Sequence, residues 1–364
     1  DGDSFFVYPL HLMQKNAQHY IMRAIEIAKL GHGHAEPNPM VGCVIVNDSG
    51  EIVSEGYHEC YGEAHAEVNA LKMAGEQAKG ATAFVTLEPC NHEGKTPPCA
   101  VALIKAGIRK VVIGSIDPHQ LSTGGVKTLQ DAGIEVEILD DNDCNKLLAP
   151  FTKRVTTGLP WVICKWAQTI DGSTITPIGD SPWISCEESI SRVHEERGCV
   201  DGILVGANTV IQDNPTLTAR GQSPRRMPIR IVLDPTLRSP INANVFNDDA
   251  TTVLVHESSQ DASSYPCETI PADMTNGLID LETILRTLAE TFDVTNLIVE
   301  GGAVTITRFL DASLVDEIWV FKSPNESNCR SYINMNDLIA RHSTECVVER
   351  PSGVDTELRY SVNF

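Results

Sequence analysis

Three side chains of the kind that ligate zinc, His65, Cys90 and Cys99, stand far apart in this chain, and a shared metal would require all three to meet at one point. That requirement limits the fold more than any other feature. Helical apolar spacing begins at Ala64 and runs to about Ala78, which places His65 and Glu67 in a first helical turn. The apolar run Ala81 to Leu87 reads as a strand that delivers Cys90 just past its end. Pro98-Cys99-Ala100 reads as a helix start, with proline suited to the first turn. Helix N-termini lower thiol pKa, which favours the thiolate that zinc binds. Three protein ligands leave a fourth zinc position for water, as in catalytic sites. Zinc lowers the pKa of that water from about 16 to about 7, and Glu67, unligated, is free to move protons. A closed structural site remains an alternative at this point, with Cys60, His58 or His92 as fourth ligand. His92 is the main contender, because its ligation would remove the open position.

His-x-Glu followed by Pro-Cys and a second Cys is the signature of the zinc deaminases of nucleobases, whose cysteines are usually two residues apart. Here the segment Asn91 to Pro98 separates them, so a loop must leave the metal at Cys90 and return at Cys99. The chain carries 49 acidic and 28 basic residues, a net charge of −21. Polynucleotide binding draws on Lys and Arg to neutralise phosphates, so this balance argues against nucleic acid as substrate. A small phosphorylated substrate needs only one basic or amide-lined pocket.

A length of 364 residues suggests about two domains. Nothing approaches the ~20 apolar residues of a membrane span, and the start lacks the basic region of a signal peptide. The 11 scattered cysteines do not resemble a disulfide framework. A cytoplasmic protein without a membrane partner is the expectation. In the first half a helix from Gln18 to Leu30 precedes a hairpin of strands, Val41 to Val46 and Glu51 to Tyr57, turned by Asn47 to Gly50. After Cys99 come a helix to Ala106, a strand Lys110 to Ile116, a helix near Gly125 to Ala132 and a strand Glu135 to Leu139. This alternation implies an α/β layer around a largely parallel sheet. The polar run Asp140 to Asp143 and a non-periodic stretch to about Pro160 suggest a boundary near residue 150, giving domains 1–149 and 150–364.

Beyond that boundary, strands are expected at Val162 to Trp166, Gly202 to Gly206, Pro228 to Leu233, Thr252 to His256, Asn296 to Glu300, Glu317 to Phe321 and Glu357 to Val362. Helices are expected at Glu187 to Arg197, Leu281 to Phe292 and Ala303 to Leu314, with the longest loops in 238–280. The strand ending in Glu300-Gly301-Gly302 could bring backbone N–H groups to a phosphate, or simply make a tight turn. The three-glycine dinucleotide fingerprint is absent, so a Rossmann domain is not indicated. Gly206 to Val210 with Asp213-Asn214-Pro215 offers a second strand end suited to a ligand crevice, or a surface turn.

Together these motifs resemble the bifunctional riboflavin-biosynthesis deaminase/reductase family, from about Gln18 to Val362. The resemblance rests on Pro37 to Gly42, Gly62 to Val68, Thr86 to Cys90 and Thr96 to Cys99 in the first half. In the second it rests on Lys165-Trp166-Ala167, Asp171-Gly172, Ser181 to Ser185, Asp201 to Gly206, Asp213-Asn214-Pro215 and Glu300-Gly301-Gly302. It implies an α/β fold class, a cytidine-deaminase-like domain followed by a dihydrofolate-reductase-like domain. Zn2+ and NADPH are the implied cofactors. The implied substrate is a diaminopyrimidinone bearing a ribosylamino 5′-phosphate, deaminated with Glu67 as proton shuttle and then reduced from ribosyl to ribityl. By matching position, Asn38, His58, His92 and Lys95 would line the deaminase pocket. Ala167, Trp183, Thr209, Asp213 and the turn Gly302, Ala303, Val304, Thr305, Ile306, Thr307 would bind NADPH. Ser181, Arg197, Leu217, Arg220 and Glu300 would bind the substrate to be reduced. A homo-oligomer is compatible with this reading. After Pro324, Asn325 to Asn328 lacks the glycine of the family's late loop, so a deaminase joined to a non-catalytic reductase domain is the second reading.

Overall fold

Apolar strands flanked by helices dominate both halves of the chain, and each half closes its own core. The structure, a computed structural model, describes residues 10–92, 97–119, 124–175, 184–221, 225–327 and 333–362. It divides into two compact units, Asp1–Thr157 and Gly158–Phe364. Among the described residues no helix is long and apolar enough to cross a membrane.

In the first unit α1 (Leu10–Ala28) leads to β1 (Gly42–Val46), β2 (Ile52–Tyr57), α2 (Ala66–Ala74), β3 (Thr82–Leu87), α3 (Cys99–Lys105), β4 (Lys110–Ser115), α4 (Gly125–Asp131), β5 (Glu135–Ile138) and α5 (Asn142–Thr157). The sheet order is β2-β1-β3-β4-β5. It is mixed rather than largely parallel: β1 runs antiparallel to both β2 and β3, because the 47–50 turn makes a hairpin, while β3, β4 and β5 are parallel. Every residue of β1 is buried. Cys43 and Ile45 enter one core and Val44 and Val46 the other, as a sheet covered on both faces requires.

The stretch expected to be non-periodic is the helix α5, with Pro150 inside it. An internal proline loses a helical hydrogen bond and costs ~3 kcal/mol, so the sequence pattern argues for a stop. Cys144 and Leu148 are buried on successive turns of this helix and hold it to the sheet. The division between the units follows its last residue.

The second unit contains β6 (Trp161–Gln168), α6 (Glu187–Arg197), β7 (Gly202–Gly206), α7 (Ala207–Asp213), β8 (Ile229–Leu233), β9 (Thr252–Glu257), β10 (Glu268–Ala272), β11 (Met274–Thr275), β12 (Leu278–Ile279), α8 (Leu281–Phe292), β13 (Asn296–Val299), α9 (Ala303–Asp311), β14 (Glu317–Lys322), α10 (Met335–His342), β15 (Glu345–Ser352) and β16 (Asp355–Ser361). Its large sheet has the order β10-β9-β8-β7-β13-β6-β14-β16-β15. The strands from β10 to β14 are parallel, and β16 and β15 return antiparallel. α8 shows why these helices form: Asp280 caps its N-terminus by accepting from the Glu282 amide, and Leu281, Ile284, Leu285 and Leu288 form one buried stripe.

Besides α5, the short strands β11 and β12 and four further elements were not expected. α7 and α10 are only two turns long. β10 lies within the segment read as loop, and β15 is an edge strand exposed along most of its length. An exposed edge strand carries no alternation for a sequence to display.

Candidate functional site

The first site forms where α2, the end of β3 and the start of α3 converge. His65 is the extended residue just before α2 rather than part of its first turn, and its ring turns toward both cysteines. Its Nδ1 lies 3.3 Å from Cys99 Sγ and 3.5 Å from Cys90 Sγ. The three potential ligand atoms fall within 4.8 Å of one another, and no further ligand joins the group among the described residues. His92 lines the same pocket but stands outside the cluster, as do His58 and Cys60. One imidazole and two sulfurs in this grouping are the donor set of a three-ligand zinc site with an open position.

Local sequence explains the convergence. Ala66, Ala70 and Ala74 are buried on α2, small enough to bring the helix against the sheet, and Glu67 shares that face one residue along. A Cβ on Gly56 of β2 would come within 2.3 Å of the Ala70 nitrogen, so only glycine admits this approach. On the far side a Cβ on Gly125 would sit 1.8 Å from the Pro89 carbonyl oxygen, so α4 presses directly on the segment carrying Cys90. Glu88, buried, accepts hydrogen bonds from the Gly124 and Val126 amides and completes that wall.

Glu67 is 3 % exposed. Burial pushes its carboxyl up to about 7, the charge of Cys90 adds to this, and His65 opposes it. Hydrogen bonding from Cys99 holds Cys90 down to about 4 against the cost of burial, while the neighbouring Cys90 and burial keep Cys99 protonated. The Cys99 amide lies 3.3 Å from Cys90 Sγ.

A cavity of about 400 Å3 opens over the cluster. His58 is buried there with Nδ1 3.1 Å from the Ala64 carbonyl and Nε2 3.1 Å from Asn38 Nδ2. A carbonyl only accepts, so Nδ1 carries the proton and Nε2 accepts from Asn38. Burial lowers the His58 pKa and keeps the ring neutral. Asn38, His58 and His92 thus share one pocket with Glu67, whereas Lys95 lies outside the described residues. The pocket also includes Asp117, His119, Phe151 and Arg154, which sequence reasoning missed. The last two sit on α5, the helix hidden by Pro150.

The second site lies at the C-terminal ends of parallel strands in the other unit. Arg197 at the end of α6 meets Glu300 in a bidentate pair, Nε–Oε1 2.7 Å and Nη2–Oε2 2.8 Å. Lys165 Nζ of β6 lies 3.6 Å from the same carboxylate. All three side chains are at most 15 % exposed. Burial alone would raise the Glu300 pKa, but the charges of Arg197 and Lys165 outweigh it and hold the carboxyl at about 2. Lys165 is a member of this site that the sequence motifs alone do not assign. Its signal was a lone cation in the otherwise apolar strand Val162 to Ala167.

Beside this pair, the Gly302 amide donates to Thr209 Oγ1 at 3.3 Å, bringing two of the sequence-selected segments together. Thr305 packs against the glycines at both strand ends, since a Cβ on Gly206 or Gly301 would lie 2.6 Å from its side chain. Ala303 and Val304 stand in the first turn of α9, where amides lack helical partners. Thr307 Oγ1 donates back to the Ala303 carbonyl. Ile306 and Leu217 point into the core, leaving only their backbones for a ligand. Leu217 is held at φ 53, Arg220 donates to Thr216 Oγ1, and Asp213, at the end of α7, is exposed. Ala167 is half-buried on β6. Ser181 and Trp183 lie outside the described residues. In the late loop lacking glycine, Ser327 is anchored through its amide to Asp171 and through its hydroxyl to the Ile175 carbonyl.

Comparison with known proteins gives both halves a counterpart. Residues 14–115 match the cytidine and deoxycytidylate deaminase zinc-binding region, and residues 160–325 match the RibD C-terminal domain. The riboflavin biosynthesis protein RibD of Aquifex aeolicus is 42 % identical over 84 % of this chain and 86 % of its own length. That of Escherichia coli is 39 % identical over 84 % of this chain and 87 % of its own. A Thermotoga maritima structure described as a diaminohydroxyphosphoribosylaminopyrimidine deaminase/5-amino-6-(5-phosphoribosylamino)uracil reductase superposes with a TM-score of 0.85 at 34 % identity, covering 96 % of this chain and 100 % of that one. RibD of Acinetobacter baumannii superposes with a TM-score of 0.82 at 34 % identity, covering 96 % and 99 %.

Proposed function

This chain belongs to the RibD family of riboflavin biosynthesis proteins, and on that premise we propose how its own residues divide the work. The protein is a bifunctional enzyme, a zinc-dependent deaminase and an NADPH-dependent reductase acting on a small molecule. The deaminase is assigned to the unit ending at Thr157 and the reductase to the unit beginning at Gly158. The observation that carries the assignment is the His65, Cys90, Cys99 cluster with Glu67 buried beside it.

In the first unit His65, Cys90 and Cys99 hold zinc, which when bound acidifies water at its open position. The substrate is 2,5-diamino-6-ribosylamino-4(3H)-pyrimidinone 5′-phosphate. Glu67 takes a proton as water adds to the ring carbon bearing the amine and passes it to the departing nitrogen, which leaves as ammonia. Its poise near neutrality suits a group that must both accept and donate. Asn38 and neutral His58 bind the ring edge, and His92 and Lys95 also contact the substrate.

In the second unit NADPH supplies hydride when bound. Ala167, Trp183, Thr209, Asp213 and the turn 302–307 bind it. Arg197, Arg220, Leu217, Ser181 and Glu300 position the ribosyl group, and Lys165 returns the proton that accompanies its reduction to ribityl. A cytoplasmic setting is part of the same proposal. Purified protein given zinc, the diaminopyrimidinone phosphate and NADPH should release ammonia and then oxidise NADPH. Ammonia without NADPH oxidation would leave the second unit non-catalytic, and neither signal would refute both assignments.

A further inference from the structure

α6 carries Arg197 at its end, yet little apolar packing holds this helix: only Ser189 and Val193 of its 11 residues are buried. A row of polar contacts to β16 holds it instead. Asp355, Glu357 and Arg359 alternate along that strand and so face one side of the sheet. Ser189, Arg192 and Glu196 lie three and four residues apart on α6 and so share one helical face. The two sets meet in order. The Ser189 hydroxyl donates to Asp355 Oδ2 at 2.7 Å, Arg192 Nε lies 3.7 Å from Glu357 Oε2, and Arg359 Nη2 donates to Glu196 Oε2 at 3.1 Å. One helical turn advances about 5.4 Å and two strand residues about 6.6 Å, so three contacts can stay in step.

Arg359 is the most tightly held member of this row. Its side chain is 16 % exposed, Nη1 donates to Glu317 Oε1 at 2.8 Å, and Nε lies 3.4 Å from Glu357 Oε1. Its guanidinium carbon stands 4.4 Å over the ring of buried Trp319, whose Nε1 donates to Glu357 Oε1 at 3.0 Å. Exposed ion pairs contribute little. This guanidinium is shielded and locked by its strand partners, so it offers Glu196 a fixed point. Across the sheet the same row leads to the reductase site. Arg359 pairs with Trp319 of β14, and Trp319 pairs with Lys165 of β6, whose Nζ lies 3.6 Å from Glu300. α6 spans that row: Glu196 is tied to Arg359, and the next residue, Arg197, forms the bidentate pair with Glu300. A slip of one turn, about 5.4 Å, would part Arg197 from Glu300.

We infer that Arg359, acting through Glu196, fixes α6 along its axis and thereby positions Arg197 for the substrate to be reduced. Arg359 is a positioning residue: it works through the helix rather than on the reacting atoms. The inference rests on the reading of Arg197 as a substrate-binding residue of the reductase. Its physical basis is that α6 has only one buried apolar side chain, Val193, to resist axial sliding, whereas a fork-shaped cation held by several carboxylates has one favoured geometry.

The test is steady-state NADPH oxidation by the full chain on pre-deaminated substrate, with ammonia release and the thermal transition measured alongside. Arg197→Gln sets the reference and should raise the KM for that substrate. Glu196→Gln and Arg359→Gln should each raise the same KM by about five- to tenfold, with the KM for NADPH and ammonia release within about twofold of the parent. The double variant should be no worse than either single one, since both remove the same link. Arg359→Lys should recover part of the loss, because charge returns without the fork. Glu317→Gln removes a partner of the same guanidinium on the strand side, so it should lower the thermal transition without raising KM. Glu196→Gln leaves Arg359 paired with Glu317 and Glu357, which keeps the test readable should Arg359→Gln fail to fold. If Arg197→Gln leaves KM unchanged, the reading of Arg197 fails and this inference with it. If Arg197→Gln raises KM and Glu196→Gln does not, Arg197 keeps its role and Arg359 is only a structural support. An equal rise in Glu317→Gln also overturns the inference, because the contact to the helix would then not be what matters.

Discussion

Glu67 in the first unit and Glu300 in the second are both shielded carboxylates, and the two end in opposite electrostatic states. Glu67 lies beside thiols and a histidine, and burial lifts it to about 7. Glu300 is also largely shielded, its side chain 10 % exposed, yet a bidentate arginine and a lysine hold it at about 2. Burial supplies the same penalty in both places, and the neighbouring cations decide the result. A group that shuttles protons must titrate near the working pH, whereas a group that anchors two cations must not. Under the proposed roles, the comparison separates a carboxylate that works by changing charge from one that works by keeping it.

The largest test breaks the first half of this comparison. Glu67→Gln should reduce ammonia release by about 10²- to 10⁴-fold, with zinc content unchanged by metal analysis and NADPH oxidation on pre-deaminated substrate retained. Chelation of zinc should give the same division of activities. Loss of both activities in Glu67→Gln would mean that the units are not independent.

Glu300→Gln attacks the other half. It leaves Arg197 and Lys165 buried without a counter-charge, which costs roughly 3–5 kcal/mol. NADPH oxidation should disappear and the thermal transition should fall, while ammonia release persists. An unshifted transition would show that the pair is solvated and that its depressed pKa carries no stability.

The pH dependence sharpens the comparison. Glu300 has a folded pKa of about 2, below its ordinary 4.5, so its stabilisation is complete above pH 4.5 and is lost as pH falls through about 2. The shift corresponds to about 3 kcal/mol at most. Melting temperature should decline more steeply between pH 5 and 3 in the parent than in Glu300→Gln. Parallel curves would remove Glu300 from the acid response.

The smallest effect concerns geometry rather than charge. Gly125→Ala would drive a methyl into the Pro89 carbonyl, and relieving such overpacking costs about 1–3 kcal/mol. Zinc affinity should weaken through displacement of Cys90, measured by competition with a chromogenic chelator. Unchanged affinity would show that the segment yields without moving the sulfur.

The helices Glu187–Arg197 and Leu281–Phe292 were legible because an amphipathic stripe survives any tertiary context. α5 was not, because the local cost of Pro150 is visible in sequence and the packing of Cys144 and Leu148 that overrides it is not. Phe151 and Arg154 were lost from the expected pocket for the same reason. The metal cluster was legible down to its residues, since ligand chemistry restricts the choice to a few side-chain types.

By itself the sequence determined the donor set, the strand–helix alternation and the acidic balance that disfavours nucleic acid, since these depend on residue type and spacing alone. Tertiary structure decided that His92 stays off the metal cluster, that Lys165 joins Arg197 and Glu300, and that the two buried carboxylates part by about five pKa units (about 7 against about 2). Each of those outcomes depends on which charges lie within a few ångströms of one another in a medium that screens them poorly, and only the folded chain brings those charges together.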